Sequence, residues 1–234
     1  MHFLLTNDDG FDAPGLAALL EAASSWGRVT VVASRSPWSG CGHQTTTNEP
    51  IYVECVRADR YVISGTPADC VRLALTQLTP DVDWVLSGVN DGGNLGVDTY
   101  MSGTVAAARE AMLLGKHAVA FSQYRKQRQE PDWSRATELV RSVLPLLFNA
   151  PPLAGSFWNV NFPDQDPALE AAYSPPRIAE CPLDPHPLPV YFEIHAGAYH
   201  YRSNYHSRPR LPGGDVDACF SGQITLTRIV HHAR

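Results

Sequence analysis

The chain predicts an α/β protein: a doubly wound, mostly parallel sheet with helices on both faces, three layers in all, followed by a C-terminal arm. Three observations lead there. Short β-type runs alternate with helical stretches through the first 163 residues, the pattern of βαβ units. The run Val29-Thr30-Val31-Val32-Ala33 is almost continuously apolar, as a strand covered on both sides should be. The segments after several strands are polar and rich in Gly, Ser, Asn and Asp, which suits loops gathered at one sheet edge.

The elements follow in order. Phe3 to Leu5 reads as a strand, and Pro14 to Ser25 as a helix with Leu16, Leu19, Leu20 and Ala23 on one face. Gly27 ends that helix, and Arg28 to Ala33 is a second strand. Ile51 to Cys55 and Arg60 to Ser64 are short β runs read as a side hairpin. Pro67 to Gln77 is a helix entered through Thr66, with Pro in its first turn. Asp83 to Ser87 is a strand ending in a glycine-rich loop. Ser102 caps an Ala-rich helix that runs to about Leu114 and stops at Gly115. His117 to Ser122 is a further strand. Pro131 to Leu147 is helical, with Pro145 expected to kink or shorten its end, and Phe157 to Phe162 is another strand. The domain division is an α/β catalytic core over 1–163 and, over 164–234, an arm with a terminal strand at Gly222 to Val230. The arm is expected to serve oligomerisation rather than to fold independently. His231 and His232 read as a solvated tail.

Composition narrows the function. Of 234 residues, 44% are hydrophobic and 18% charged, as in an ordinary globular protein. A formal net charge of -6 argues against general affinity for a nucleic acid duplex or an anionic membrane. With no basic and apolar leader and no apolar stretch of membrane-spanning length, a cytoplasmic location is expected. The five cysteines lack a Cys-x-x-Cys zinc pattern.

The chemistry concentrates in four polar segments. Thr6-Asn7-Asp8-Asp9-Gly10 places two carboxylates directly after the first strand. Adjacent like charges need an offset, and a hard divalent cation bound through oxygen supplies one; an exposed Asp-Asp-Gly turn is the plain alternative. The second strand leads into Ser34 to Gly40, a loop rich in Ser and Gly that can supply a hydroxyl ligand and backbone N–H donors. The loop from Ser87 to Gly96 holds Asn90 and Asn94 among four glycines. Ser102-Gly103-Thr104 opens a helix, where free N–H groups and the dipole favour a phosphate. His43, near the Ser39 loop, is placed to touch a substrate or to serve a structural role. The ATP-binding Gly-x4-Gly-Lys-Ser/Thr loop, a Gly-x-Gly-x-x-Gly after the first strand and the Gly-x-Ser-x-Gly elbow are all absent.

These motifs, with Ala13-Pro14-Gly15, Gly65-Thr66-Pro67-Ala68-Asp69-Cys70, Ser87-Gly88-Val89-Asn90 with Gly93-Asn94-Leu95-Gly96, and Asn159-Val160-Asn161-Phe162-Pro163, resemble the SurE (survival protein E) family. The resemblance implies a Rossmann-like fold and a divalent-metal-dependent 5′-nucleotidase, a phosphatase that hydrolyses nucleoside 5′-monophosphates; 3′-nucleotides and short polyphosphate are further candidate substrates. It implies one Mg²⁺ or Mn²⁺ per subunit held by Asp8, Asp9, Ser39 and Asn90, with Asp8 or Asp9 as proton acceptor. It also implies a phosphate site at Asn94 and Ser102-Gly103-Thr104, joined by Ser39, Gly40 and His43, and a homodimer or homotetramer. Residues 164–214 are not readily aligned with the family, and Arg109 stands where many relatives carry another residue. Two rival readings are a non-enzymatic nucleotide or metal sensor, and a phosphatase working through an aspartyl-phosphate. The second usually shows Asp-x-Asp rather than adjacent carboxylates.

Overall fold

A computed structural model describes residues 1–126, 130–166 and 177–231. The elements run β1 (His2–Thr6), α1 (Pro14–Ala23), β2 (Arg28–Ser34), β3 (Val53–Arg57), β4 (Arg60–Ile63), α2 (Pro67–Leu73), β5 (Trp84–Asp91), α3 (Gly103–Leu113), β6 (His117–Gln123), α4 (Trp133–Asn149), β7 (Ser156–Phe162), β8 (Ile178–Glu180), β9 (Tyr191–His195), β10 (Ala198–Arg202), α5 (Asp215–Phe220) and β11 (Ile224–Val230). Residues 167–176 of the arm and His232 of the expected tail lie outside the described residues.

Nine strands form one sheet in the order β3-β4-β2-β1-β5-β6-β7-β11-β8. The six central strands from β4 to β7 are parallel, as the alternation of strands and helices predicts. The chain winds outward from β1 through β2 to β4, then returns to place β5 on the other side of β1. That reversal is a topological switch point, and it leaves a crevice at the carboxyl ends of β1 and β5.

Strand geometry sends alternate side chains to opposite faces. Phe3 and Leu5 pack with Leu16 and Leu19 of α1 and with Val140 and Leu144 of α4. Leu4 and Val32 pack on the other face with Val71 of α2 and with Val105 and Ala108 of α3. These are the three layers. No helix among the described residues is long and apolar enough to cross a membrane.

Several expectations are corrected. The β3–β4 hairpin is not set aside from the sheet: β4 pairs in parallel with β2, so the hairpin forms the sheet's edge. Pro145 does not end α4, which continues to Asn149. The carbonyl it leaves unbonded belongs to the exposed Arg141, where water can serve it, while Val143, Leu144 and Leu147 hold the last turns in the core. Strand β5 extends to Asp91, so Asn90 lies on a strand rather than in the loop after it. From the arm region, β11 pairs antiparallel with β7 and β8 pairs with β11, both within the main sheet. β9 and β10 form a separate hairpin.

Close approach of α1 to β5 depends on Gly15. A Cβ there would lie 1.9 Å from the Val89 carbonyl oxygen and 2.9 Å from the Trp133 ring. Gly15→Ala is therefore expected to force the backbones apart at a cost of about 1–3 kcal/mol or more, read as a lower urea midpoint. An unchanged midpoint would show that the helix can slide away freely.

Candidate active site

The crevice at the switch point is a cleft of about 280 Å³. β1 delivers Asp8 and Asp9 to its floor, and Gly10 then turns the chain away at φ +105°, a left-handed value that favours glycine. The segment after β2 is pinned beside them: Trp38 N–H donates to the Asp8 carbonyl at 2.7 Å and Cys41 N–H to the Trp38 carbonyl at 3.1 Å. This turn brings Ser39 and Gly40 to the cleft wall. β5, the other neighbour of β1, adds Asn90, and the loop after it adds Asn94. Ser102 completes the wall at the start of α3, its hydroxyl accepting the Val105 N–H at 3.1 Å.

Gly103 and Thr104 lie directly behind. The buried Thr104 hydroxyl donates to Asp8 Oδ1 and sits 3.3 Å from Asn90 Oδ1, so one side chain ties the two flanking strands together. A Cβ on Gly103 would stand 2.7 Å from Asp8 Cβ and 3.0 Å from its Oδ2; only glycine lets the helix start come this near the carboxylate. Asn90 commits its amide nitrogen to the Gly92 carbonyl at 2.7 Å, which turns its oxygen toward Thr104.

Asn94 is held from several sides. Its N–H donates to Asn161 Oδ1 at 2.8 Å, its amide nitrogen to Ser122 Oγ at 2.8 Å, and its carbonyl accepts from the Asn159 and Asn161 amides. The Asn-Val-Asn motif on β7 thus braces Asn94 from below, a role its sequence neighbourhood did not reveal.

Of the predicted site residues, Gly103 and Thr104 stand behind the cleft wall, and His43 is not brought to the cleft. Its Nε2 lies 2.7 Å from Glu110 Oε2, and Arg72 pairs with the other Glu110 oxygen at 2.7 Å. Burial works against the Glu110 charge, but His43 and Arg72 outweigh it and hold the carboxyl below its ordinary range. His43 anchors the Ser39 loop to α3 instead of reaching inward. Conversely, Asp91 and Asp98 line the cleft, although no motif singles them out.

The electrostatics single out the aspartate pair. Burial raises the Asp8 carboxyl despite its hydrogen bond from Thr104. Asp9 is pushed up to about 6 by burial and then by the charge of Asp8. Among the described residues, no three His, Cys, Asp or Glu side chains are grouped to hold a metal; of the expected ligands, two carboxylates, the Ser39 hydroxyl and the Asn90 amide oxygen all belong to residues that line the cleft. Such an all-oxygen, negative set matches a hard divalent cation and leaves positions for water and substrate oxygens.

The sequence model of the survival protein SurE family matches residues 3–178. The chain belongs to the SurE family. A Nostoc protein described as a candidate 5′-nucleotidase is 47% identical over 229 residues, 98% of this chain and 99% of the relative. The 5′-nucleotidase SurE 1 of Burkholderia lata is 44% identical over 163 residues, 68% of this chain and 63% of its own length. The crystal structure of the SurE protein from Aquifex aeolicus superposes with a TM-score of 0.84 at 31% identity, covering 100% of this chain and 95% of that one. The SurE resemblance read from the motifs and the α/β fold are both borne out.

Proposed function

We propose that this SurE protein is a divalent-metal-dependent phosphatase that hydrolyses nucleoside 5′-monophosphates to nucleoside and phosphate, with Asp8, Asp9, Ser39 and Asn90 holding the cation. The observation that carries this reading is the convergence of oxygen donors from four separate segments around two carboxylates whose charge is poorly offset. The 5′-nucleotidase names of its relatives support the substrate class. When bound, the cation would polarise a phosphoryl oxygen and lower the pKa of a water bound to it.

The chain's own groups do the rest. Ser102, at the start of α3, faces the cleft, and the helix dipole behind it favours phosphate oxygens at that wall. Asn94, its backbone braced by Asn159 and Asn161 and its amide nitrogen oriented by Ser122, offers its remaining amide N–H as a preorganised donor for the transition state. Asp9 is the more exposed of the pair, and so the better placed to take a proton from the attacking water. Thr104 keeps Asp8 oriented. We further propose that the protein works in the cytoplasm, in keeping with five unpaired cysteines. A homodimer or homotetramer is proposed through the β9–β10 hairpin, where Tyr191, Phe192, Ile194, Tyr199 and Tyr201 are exposed.

Phosphate release from a panel of nucleoside monophosphates tests the reading. EDTA is expected to reduce release from AMP at least about a hundredfold, since the metal supplies several kcal/mol of the stabilisation, and excess Mg²⁺ or Mn²⁺ to restore it. Hydrolysis that persists undiminished in EDTA would falsify the metal-dependent mechanism.

A further inference from the structure

Behind the cleft lies a second cavity of about 170 Å³. Thr99, Tyr100 and Arg109 line one side of it, with Phe157, Ile229 and His231 among the rest. The helical turn Gly96–Tyr100 separates the two hollows: Asp98 faces the cleft, while Thr99 and Tyr100 face this cavity.

Arg109 is the residue that asks for an occupant. Burial lowers its guanidinium pKa, and among the described residues no carboxylate forms an ion pair with it. Its neighbour Glu110 is already committed to His43 and Arg72. The contacts Arg109 does make are not to carboxylates: Nη2 donates to the Thr99 carbonyl at 3.0 Å, and Nη1 lies 3.5 Å from His43 Nδ1. A half-buried guanidinium with no counter-charge carries a desolvation cost that an anion would offset. Its planar fork is suited to two oxygens of one carboxylate or phosphate. Met112, Phe157, Leu183 and Ile229 add apolar lining to the same cavity.

We propose that this cavity is a second ligand site, separate from the phosphatase cleft, which takes a small organic anion: an acidic head on Arg109 and an apolar body against Phe157 and Ile229. The volume sets the size. It lies below the ~300–1,000 Å³ typical of pockets for drug-sized ligands, so the occupant is a single ring or a short chain rather than a whole nucleotide.

Titration calorimetry on the full-length protein in Mg²⁺ tests this with benzoate, phenyl phosphate's non-hydrolysable analogue phenylphosphonate, and neutral benzamide. One or both anions are expected to bind saturably, at least tenfold more tightly than benzamide; which of them prevails identifies the acidic head. Arg109→Gln should weaken that binding at least tenfold, and Asp9→Asn should leave it within twofold. Loss of binding in Asp9→Asn but not in Arg109→Gln would put the anion in the cleft and overturn the proposal. Equal binding of benzamide and the anions overturns it without any variant, so a poorly folding Arg109→Gln does not shelter the idea. Phosphatase activity is not part of the readout, so failure here and failure of the proposed function are distinguishable.

Discussion

Asp9→Asn is expected to lower kcat/KM for AMP by at least about 10³-fold, the upper range for removing one preorganised charge-stabilising group, while the protein stays folded. The substitution keeps the shape of the side chain and its place beside Asp91 N–H, which now reaches Asp9 Oδ2 at 3.2 Å, but removes the charge and the proton acceptor. Stability provides the control. The ordinary carboxyl value is 3.8 and the folded value about 6, so the folded, metal-free protein holds this proton more tightly than the unfolded chain. Ionised Asp9 therefore costs stability as pH rises through that window, and the cost is fully present above it. Metal-free Asp9→Asn should melt no lower than the unsubstituted protein at pH 7.5, and should lose less stability between pH 4 and 6. AMP turnover within threefold of normal would remove Asp9 from the reaction.

Arg208→Met is expected to cost about 3–5 kcal/mol of unfolding free energy, the usual penalty for removing one partner of a buried ion pair. The Arg208 side chain is 0% exposed, and its Nη1 donates to Asp98 Oδ2 at 2.9 Å, with Asp98 only 12% exposed. Its guanidinium also lies over the Tyr205 ring, 5.1 Å from the centroid, and the Tyr205 hydroxyl donates to the same Asp98 oxygen at 2.6 Å. Met preserves much of the volume and leaves the Asp98 carboxylate with one donor fewer. Arg208 Nε and Nη2 are themselves buried without a hydrogen-bond partner, so the pair carries its own desolvation cost. Arg208→Met with Asp98→Asn should accordingly recover a good part of the loss. Urea unfolding of the two single variants and the double completes the cycle; a single-variant cost below about 1 kcal/mol, the range of exposed pairs, would show that the pair is wetter than its burial implies.

The local chemistry of the sequence carried much of this architecture. Strand ends, helix starts and the adjacent aspartates are written in short stretches, and the parallel sheet brings together Asp8, Asp9, Ser39, Asn90, Asn94 and Ser102 at one cleft. What stayed hidden depended on distant partners. His43 sits in a loop suited to substrate contact, but Glu110, 67 residues on, claims its ring. Asp98 reads as an ordinary loop residue until Tyr205 and Arg208 fold over from the arm. The addition of β8 and β11 to the sheet rests on pairing with β7 and with each other, which periodicity within one strand cannot disclose. Pro145 does not shorten its helix for the opposite reason: its local tendency to end the helix is overridden by the core residues around it.

Asp215 shows how little freedom the arm has to evolve alone. One buried carboxylate accepts the Gly96 N–H at 2.8 Å, the Asp184 N–H at 2.8 Å and the Val216 N–H at 2.9 Å, stitching the arm to the turn that borders the cleft. A chimera that borrowed only another family member's C-terminal half would inherit mismatched stitches. The turn from Leu95 to Asp98 and the segment from Asp184 to Asp215 must travel together, as one cassette.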